Sequence, residues 1–206
     1  MIFSAFPLRF PAASLRIGCL VMAAGNASRF GANKLAAELD GRTLIERALD
    51  AVPKGMFAAV CVASQYEGIE ELAGKYGFAA IHNAHPDWGL SYTIRLGTQA
   101  MRACDGILYL VADQPLLRRD SVQRIAEAWL RTPEKIAGAS HEGRRGNPNL
   151  FPARFFPELL ALEGDCGGNL VIKRHTEDYL PVELAPEELR DCDTPQELAA
   201  LRIQAE

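Results

Sequence analysis

The chain has 206 residues, of which 49% are hydrophobic and 23% charged, and its formal net charge at pH 7 is −4. This composition is typical of one globular domain, and the slightly acidic balance argues against a nucleic-acid-binding protein. No run approaches the roughly 18 apolar residues of a membrane-spanning helix, so we expect no membrane association. The five cysteines form no CxxC pair, which predicts reduced, mostly buried thiols in a cytoplasmic protein.

The first sixteen residues are apolar and slightly basic. Pro7, Arg9 and Pro11 interrupt the continuous apolar stretch that a signal peptide needs. We therefore interpret residues 1–16 as an extension ahead of a single domain at 17–206.

Strand-like and helix-like segments alternate along the rest of the chain. Apolar runs predict strands at 17–23, 58–64, 79–83 and 106–113, a strand pair at 136–140 and 149–151, and a late strand at 179–184. Helical spacing predicts helices at 43–52, 67–77, 91–101, 120–130, 153–162 and 167–175, and a terminal one from Pro195. This β-α-β order predicts a three-layer α/β fold, Rossmann-like, with helices on both faces of a mainly parallel twisted sheet.

Several helix starts carry capping signals. Thr43 and Glu46 have the spacing of a capping box, and Ser91 is the predicted cap of the helix at 91–101. Pro195 stands behind Thr194 as a first-turn proline. In a sheet of this kind ligands bind beyond the carboxyl ends of the strands, so the residues that follow each strand are the candidates for a site.

The segment AAGNASRFGANK (23–34) follows the first strand. Its glycine spacing fits neither a dinucleotide-binding fingerprint nor a Walker A loop. Glycines permit an anion to approach the backbone closely, while Arg29 and Lys34 offer a guanidinium fork and a point charge to phosphate oxygens. The alternative is a Gly-rich turn with two surface cations.

Acidic residues occur at two further places. Asp113 ends the apolar strand at 106–113, and Asp191 and Asp193 lie in the late segment DCDTP. Two carboxylates at strand ends, facing a phosphate loop, would suit Mg²⁺, which prefers few carboxylates together with phosphate oxygens and water. The alternative is that these residues only cap turns and the terminal helix.

The loop resembles the signature loop of the nucleotidyltransferases related to molybdenum cofactor enzymes and sugar-nucleotide pyrophosphorylases. ADQPLL and DCDTPQEL resemble the metal-binding motifs of the same superfamily. The resemblance implies Mg²⁺, or Mn²⁺ in its place, bound by Asp113 and Asp193, with Asp191 as the alternative to Asp193. It implies catalytic roles for Arg29, Lys34 and Asp113. The nucleotide-binding set that it implies is Ala23, Ala24, Gly25, Asn26, Ala27, Ser28, Arg29, Gly31, Lys34, Ser91 and Asp113.

Three further segments resemble those of molybdenum cofactor cytidylyltransferases, within the MobA-like NTP transferases. They are NAHPDWGLSYTIRLG (83–97), GRRGNPNLF (143–151) and GDCGGN (164–169). The match implies an acceptor site at Asn147, Pro148, Asp165 and Asn169. Ala24 resembles the L-A-A-G of this branch, whereas the guanylyltransferases have a second glycine, and a methyl group here would crowd a larger purine.

The chain departs from the family pattern on the acceptor side. Cys166 stands where the family commonly has Lys, Asn169 where it has Arg, and Asn149 where it has Val. Two cations are thus missing, and Lys173 and Arg174 are the nearby candidates to replace them.

The resemblance implies transfer of CMP from CTP to molybdopterin, with or without molybdenum, and release of pyrophosphate. A phosphate nucleophile needs no general base, and we interpret the four histidines as structural or surface residues. A molybdenum hydroxylase or its chaperone is the expected transient partner. Two alternatives remain: the same chemistry with GTP or with a sugar or polyol phosphate, or a non-catalytic module that handles the cofactor.

Overall fold

The computed structural model describes residues 15–25 and 33–203. The described strands, in chain order, are β1 (Ile17–Ala23), β2 (Glu38–Leu39), β3 (Arg42–Thr43), β4 (Ala59–Ser64), β5 (Ala79–His82), β6 (Gly106–Val111), β7 (Ile136–His141), β8 (Arg144–Pro152) and β9 (Tyr179–Glu183). The described α-helices are α1 (Leu44–Asp50), α2 (Glu67–Lys75), α3 (Leu90–Ala100), α4 (Arg119–Arg131), α5 (Phe156–Leu160), α6 (Asn169–Arg174) and α7 (Pro195–Ile203). The predicted extension lies largely outside the described residues and stays a prediction.

Seven of the strands form one sheet in the order β5-β4-β1-β6-β8-β7-β9, while β2 and β3 pair as a separate hairpin. All sheet neighbours run parallel except at β8, which is antiparallel to both β6 and β7. The parallel strands are apolar because helices cover both faces. β1, in the middle of the parallel half, is buried along its whole length.

Side chains on the two faces of the sheet pack into two cores. One core contains residues of α1, α2, α4 and α7, and the other contains residues of α3, α5 and α6. The predicted three-layer α/β architecture is confirmed. On the second face, α3 crosses β1 so closely that a Cβ at Gly97 would lie 2.3 Å from Leu20 Cδ2. This contact places the start of α3 at the edge where β1 and β6 end.

The predicted elements are all present, with altered ends. Thr43 and Glu46 form the expected capping box at α1. The segment 153–162 divides into a 3₁₀ turn and the short α5, and the hairpin β2–β3 was not predicted. Each described helix is too short or too polar to cross a lipid bilayer.

Candidate active site

A cleft of about 540 Å³ opens at the carboxyl ends of β1 and β6. Among the described residues its lining carries four carboxylates and a single ammonium group, that of Lys34. The carboxylates belong to Asp87, Asp113, Asp165 and Asp193. Ala24 and Gly25 also line this cleft, so the structure brings together five residues predicted from three distant segments, namely Ala24, Gly25, Lys34, Asp113 and Asp193.

Lys34 lies between two of these carboxylates. Its Nζ donates to Asp113 Oδ2 at 2.8 Å and to Asp193 Oδ1 at 2.7 Å. The Lys34 side chain is only 13% exposed. Partial loss of hydration disfavours the charged amine, but the two carboxylates outweigh it and raise the pKa of Lys34 above its ordinary value. The pair of carboxylates is therefore an arrangement that holds a cation.

Three independent local structures fix this arrangement. Asn33 caps the short 3₁₀ turn that begins at Lys34, accepting a hydrogen bond from Leu35 N at 3.1 Å. The Asp113 carbonyl accepts from Cys192 N at 2.8 Å, which ties the end of β6 to the late acidic segment. Asp193 N donates to Glu197 Oε2 at 2.8 Å at the start of α7. The carboxylates thus stay near each other without help from Lys34.

Asp191 has a different environment from Asp193. Its Oδ1 accepts from Gln114 Nε2 at 3.0 Å, and no ion pair with Lys34 is recorded for it. Partial burial of its carboxylate, followed by the nearby charge of Asp113, raises the pKa of Asp191 above its ordinary value, against the hydrogen bond from Gln114. Of the two late acids, Asp193 is the one that shares a cation with Asp113.

The base of the phosphate loop is held by the end of β4. Ser64 Oγ donates to the Ala23 carbonyl at 3.2 Å, and Gln65 Nε2 donates to the Ala24 carbonyl at 2.9 Å. Ala23 itself is buried at the end of β1, whereas Ala24 lines the cleft although it is only 4% exposed. Residues 26–32, which include the predicted Asn26, Ala27, Ser28, Arg29 and Gly31, lie outside the described residues.

The predicted cap of α3 was wrong. Gly89 precedes the helix, with φ of 82° and ψ of −177°, and Ser91 is its second residue, fully buried and making no side-chain capping bond. The first amides of the helix instead meet a distant loop, because Leu90 N donates to Asp165 Oδ1 at 3.3 Å and Ser91 N to the Gly164 carbonyl at 3.3 Å. A nucleotide contact by Ser91 stays a prediction.

A smaller pocket of about 60 Å³ adjoins the cleft and shares Met22, Leu90 and Val111 with it. Asn147 and Asn169, both predicted acceptor residues, line this pocket. Pro148 is buried in β8. Asn149, the departure from the family's Val, is 3% exposed and donates through Nδ2 to the Asn147 Oδ1 at 3.1 Å. Asn149 therefore fixes the orientation of the Asn147 amide.

A family comparison now bears on this geometry. Residues 19–179 match the model of the MobA-like NTP transferase domain, which is more than half of the chain. The chain belongs to the MobA-like NTP transferase family. Consistent with that family and with its solved structural neighbours, it is a nucleotidyltransferase.

Individual relatives agree with this placement. The purine catabolism protein PucB of Bacillus subtilis is 28% identical over 194 residues, covering 88% of this chain and 93% of its own. A nucleotidyl transferase from a Methanothermobacter species has a TM-score of 0.74 at 22% identity, covering 92% of this chain and 97% of its own. The manganese complex of Rv0371c from Mycobacterium tuberculosis has a TM-score of 0.74 at 19% identity, with 91% and 98% covered. At such identities the structures show a shared fold.

The transferase does not use the two cations suggested as replacements on the acceptor side. Lys173 is exposed, and Arg174 Nη1 lies 3.5 Å from Glu158 Oε2 on α5. Neither residue lines the cleft or the smaller pocket. Cys166 is exposed, and all five cysteines are free, four of them buried, as predicted.

Sequence reasoning missed residues that support the site from behind. Asn83 is buried and donates through Nδ2 to Thr93 Oγ1 at 3.0 Å, while its Oδ1 accepts from His85 N at 3.0 Å. It thereby joins the end of β5 to a residue of α3 that lines the cleft. Asn83 opens a segment that matched the family pattern, and this was the available signal. Ser64 and Gln65 carried no such signal, because neither lies in a recognisable motif.

The histidines lie away from the cleft lining that the structure describes. One of them, His175, forms a cluster with Glu177 and Asp178 whose ligand atoms all lie within 4.8 Å of one another. This cluster already has partners, because His175 Nε2 contacts Glu158 Oε1 at 2.7 Å and Arg154 contacts Asp178 at 2.9 Å. It is a set of ion pairs between neighbouring elements, and the reaction has no visible use for it.

Proposed function

We propose that this transferase moves CMP from CTP to the terminal phosphate of molybdopterin, releasing pyrophosphate and forming the cytosine dinucleotide form of the cofactor. The observation that carries the reaction type is the carboxylate pair of Asp113 and Asp193, which converges on one cation beside the base of the phosphate loop. Such an arrangement serves positioning and charge neutralisation, which is what phosphoryl-type transfer demands.

Asp113 and Asp193 fit a divalent metal by their chemistry, since both are carboxylates and both already reach one positive group. When bound there, Mg²⁺ or Mn²⁺ would neutralise charge on the nucleotide phosphates. Lys34 and Arg29, together with the backbone after Gly25, would hold the phosphates that leave as pyrophosphate. Ser64 and Gln65 keep the first carbonyls of that loop fixed.

The choice of CTP rests on Ala24. Its methyl group lies on the lining of the cleft, and a buried backbone held by Gln65 leaves it little freedom to move away. A purine would need the space that this methyl fills, whereas a pyrimidine would not. One methyl group typically discriminates by about 1–3 kcal/mol, which is a preference of roughly ten-fold or more.

The acceptor assignment rests on the resemblance of the segments that carry Asn147, Pro148, Asp165 and Asn169. Two of these residues line the pocket next to the cleft. The name of PucB places that relative in purine catabolism. Molybdenum hydroxylases of the xanthine dehydrogenase type oxidise purines, so this relative supports a cofactor role. We place the reaction in the cytoplasm, which free thiols suit.

A panel of nucleotides tests the proposal directly. Purified protein is given molybdopterin, Mg²⁺ and each of CTP, GTP, UTP and ATP, and both pyrophosphate and the mass of the product are measured. We expect pyrophosphate and a cytosine dinucleotide with CTP. A preference for GTP would show that the argument from Ala24 is wrong, and turnover only with a sugar phosphate would replace the acceptor.

The Ala24→Gly variant sharpens this test. Removing the methyl group should bring the turnover of GTP closer to that of CTP, by about ten-fold in the ratio of their kcat/KM values. CTP in the same variant is the internal control, because any general damage would lower both nucleotides together.

A further inference from the structure

The ammonium group of Lys34 occupies the position between the two carboxylates that the proposed metal would need. Its contacts of 2.8 Å to Asp113 and 2.7 Å to Asp193 are short, as charge-assisted hydrogen bonds are. A lysine side chain reaches this position through a flexible four-carbon stem, while the carboxylates are fixed by their own backbone contacts. Lys34 is thus the movable member of the group.

The surrounding charges make this contact necessary in the nucleotide-free protein. The described lining of the cleft has four carboxylates and no second cation. Asp113 and Asp193 without Lys34 would face each other as like charges at short range, partly removed from water. An incoming divalent ion has to replace an ammonium that is already well bound.

We propose that Lys34 is the resident counter-ion of the carboxylate pair and leaves it for the nucleotide phosphates, so that the divalent metal enters with the triphosphate and not before it. The triphosphate supplies the negative groups that attract Lys34 away, and the vacated carboxylate oxygens then accept the metal. The same residue therefore serves the empty site and the filled one. This inference rests on the proposed metal ligands, and it is independent of which base or acceptor is used.

One consequence is a low affinity for metal alone. Free Mg²⁺ would not load the site, and the enzyme would select the metal–nucleotide complex as the binding species. A site already holding a metal would instead bind free nucleotide, and the binding order separates the two cases.

The experiment measures binding of Mn²⁺ alone, without nucleotide, from the loss of the free Mn²⁺ signal in electron paramagnetic resonance. Wild type is compared with Lys34→Met, which keeps the length of the side chain and removes its charge. We expect Lys34→Met to bind Mn²⁺ more tightly by about ten-fold or more, since the displaced ammonium is gone. Lys54→Met is the matched control, because Lys54 is exposed at the opposite end of β4 and should behave as wild type.

The second arm adds CTP together with Mn²⁺. Here the order should reverse, and Lys34→Met should bind the complex more weakly than wild type. Equal affinity of wild type and Lys34→Met for Mn²⁺ alone would overturn the proposal. Lys34→Gln, which keeps a polar side chain, repeats both arms if Lys34→Met does not fold. Should CTP fail as a ligand while the Mn²⁺ result holds, the assigned nucleotide is wrong and the role of Lys34 stands.

Discussion

The two sides of the cleft are built on different principles. On the nucleotide side, charged groups from distant segments meet through their side chains, with Lys34 between Asp113 and Asp193. On the acceptor side, Asp165 and Gly164 are used to hold the start of α3, and neutral amides line the pocket. The first side is specialised by charge and the second by shape. Mutations on the two sides should therefore fail in different ways.

The largest effect is expected from Asp113→Asn, which removes one charge of the pair and keeps the shape of the side chain. Turnover of CTP should fall by at least about a hundred-fold, as when one electrostatic contact to a transition state is lost. The melting temperature should change little, because Lys34 keeps its contact with Asp193. Pyrophosphate release and thermal unfolding measure the two quantities. The control is Asp120→Asn, since Asp120 is 67% exposed. Wild-type turnover in Asp113→Asn would refute the metal assignment.

Gly89→Ala should damage the acceptor side by shape alone. A φ of 82° with ψ near 180° is a conformation that only glycine adopts readily, and a Cβ here would lie 2.5 Å from the Gly164 carbonyl oxygen. We expect a loss of about 1–3 kcal/mol in the free energy of unfolding from the backbone strain.

Chemical denaturation measures that loss, with Gly74→Ala as the control. Gly74 lies inside α2 with open space around its Cβ position, so this change should stabilise the protein, by roughly 0.5–1 kcal/mol. If both variants had the same stability, the contact between the start of α3 and the Gly164 loop would be unimportant.

Asn149→Val restores the residue that the family commonly has and tests the neutral-amide side. Losing the hydrogen bond to Asn147 should raise the KM for the acceptor several-fold and leave the KM for CTP unchanged. Stability should hold or rise by up to about 1 kcal/mol, because the Asn149 Oδ1 is buried without a partner. Steady-state kinetics with each substrate varied separates the two KM values, and a change in the CTP value alone would contradict this division of the cleft.

The smallest effect should come from Asp191→Asn. Since the pKa of Asp191 is raised in the folded protein, the folded state binds the proton more tightly than the unfolded chain, and stability falls as pH rises through this range. The variant should melt slightly above wild type at neutral pH, and the difference should vanish as pH approaches the ordinary value of 3.8.

Activity gives the second readout of that variant. Asp191→Asn should retain turnover, because the recorded contacts place Asp193 and not Asp191 at Lys34. Glu163→Gln, which removes one exposed negative charge, is the charge-matched control. A loss of activity as large as that of Asp113→Asn would transfer the ligand role to Asp191.

The sequence by itself determined the local structure and the family of the chain. The capping box of Thr43 and Glu46 and the apolar strand β1 depend on neighbours within a few residues, and such signals are readable in one stretch. The motifs around Lys34, Asp113 and Asp193 also stand in the sequence, and their types already predicted phosphate and metal chemistry. The assignment of individual roles in the site stays a prediction.

Only the tertiary structure decided how these residues meet. Lys34 contacts acids that are 79 and 159 residues away, and Asp165 holds the start of a helix 75 residues before it. These contacts depend on β1 lying beside β6 and on α7 returning to the same edge, which local periodicity does not encode. Ser91 was predicted as a cap because serine favours that position, but the packing of a distant loop against Gly89 provided the cap instead.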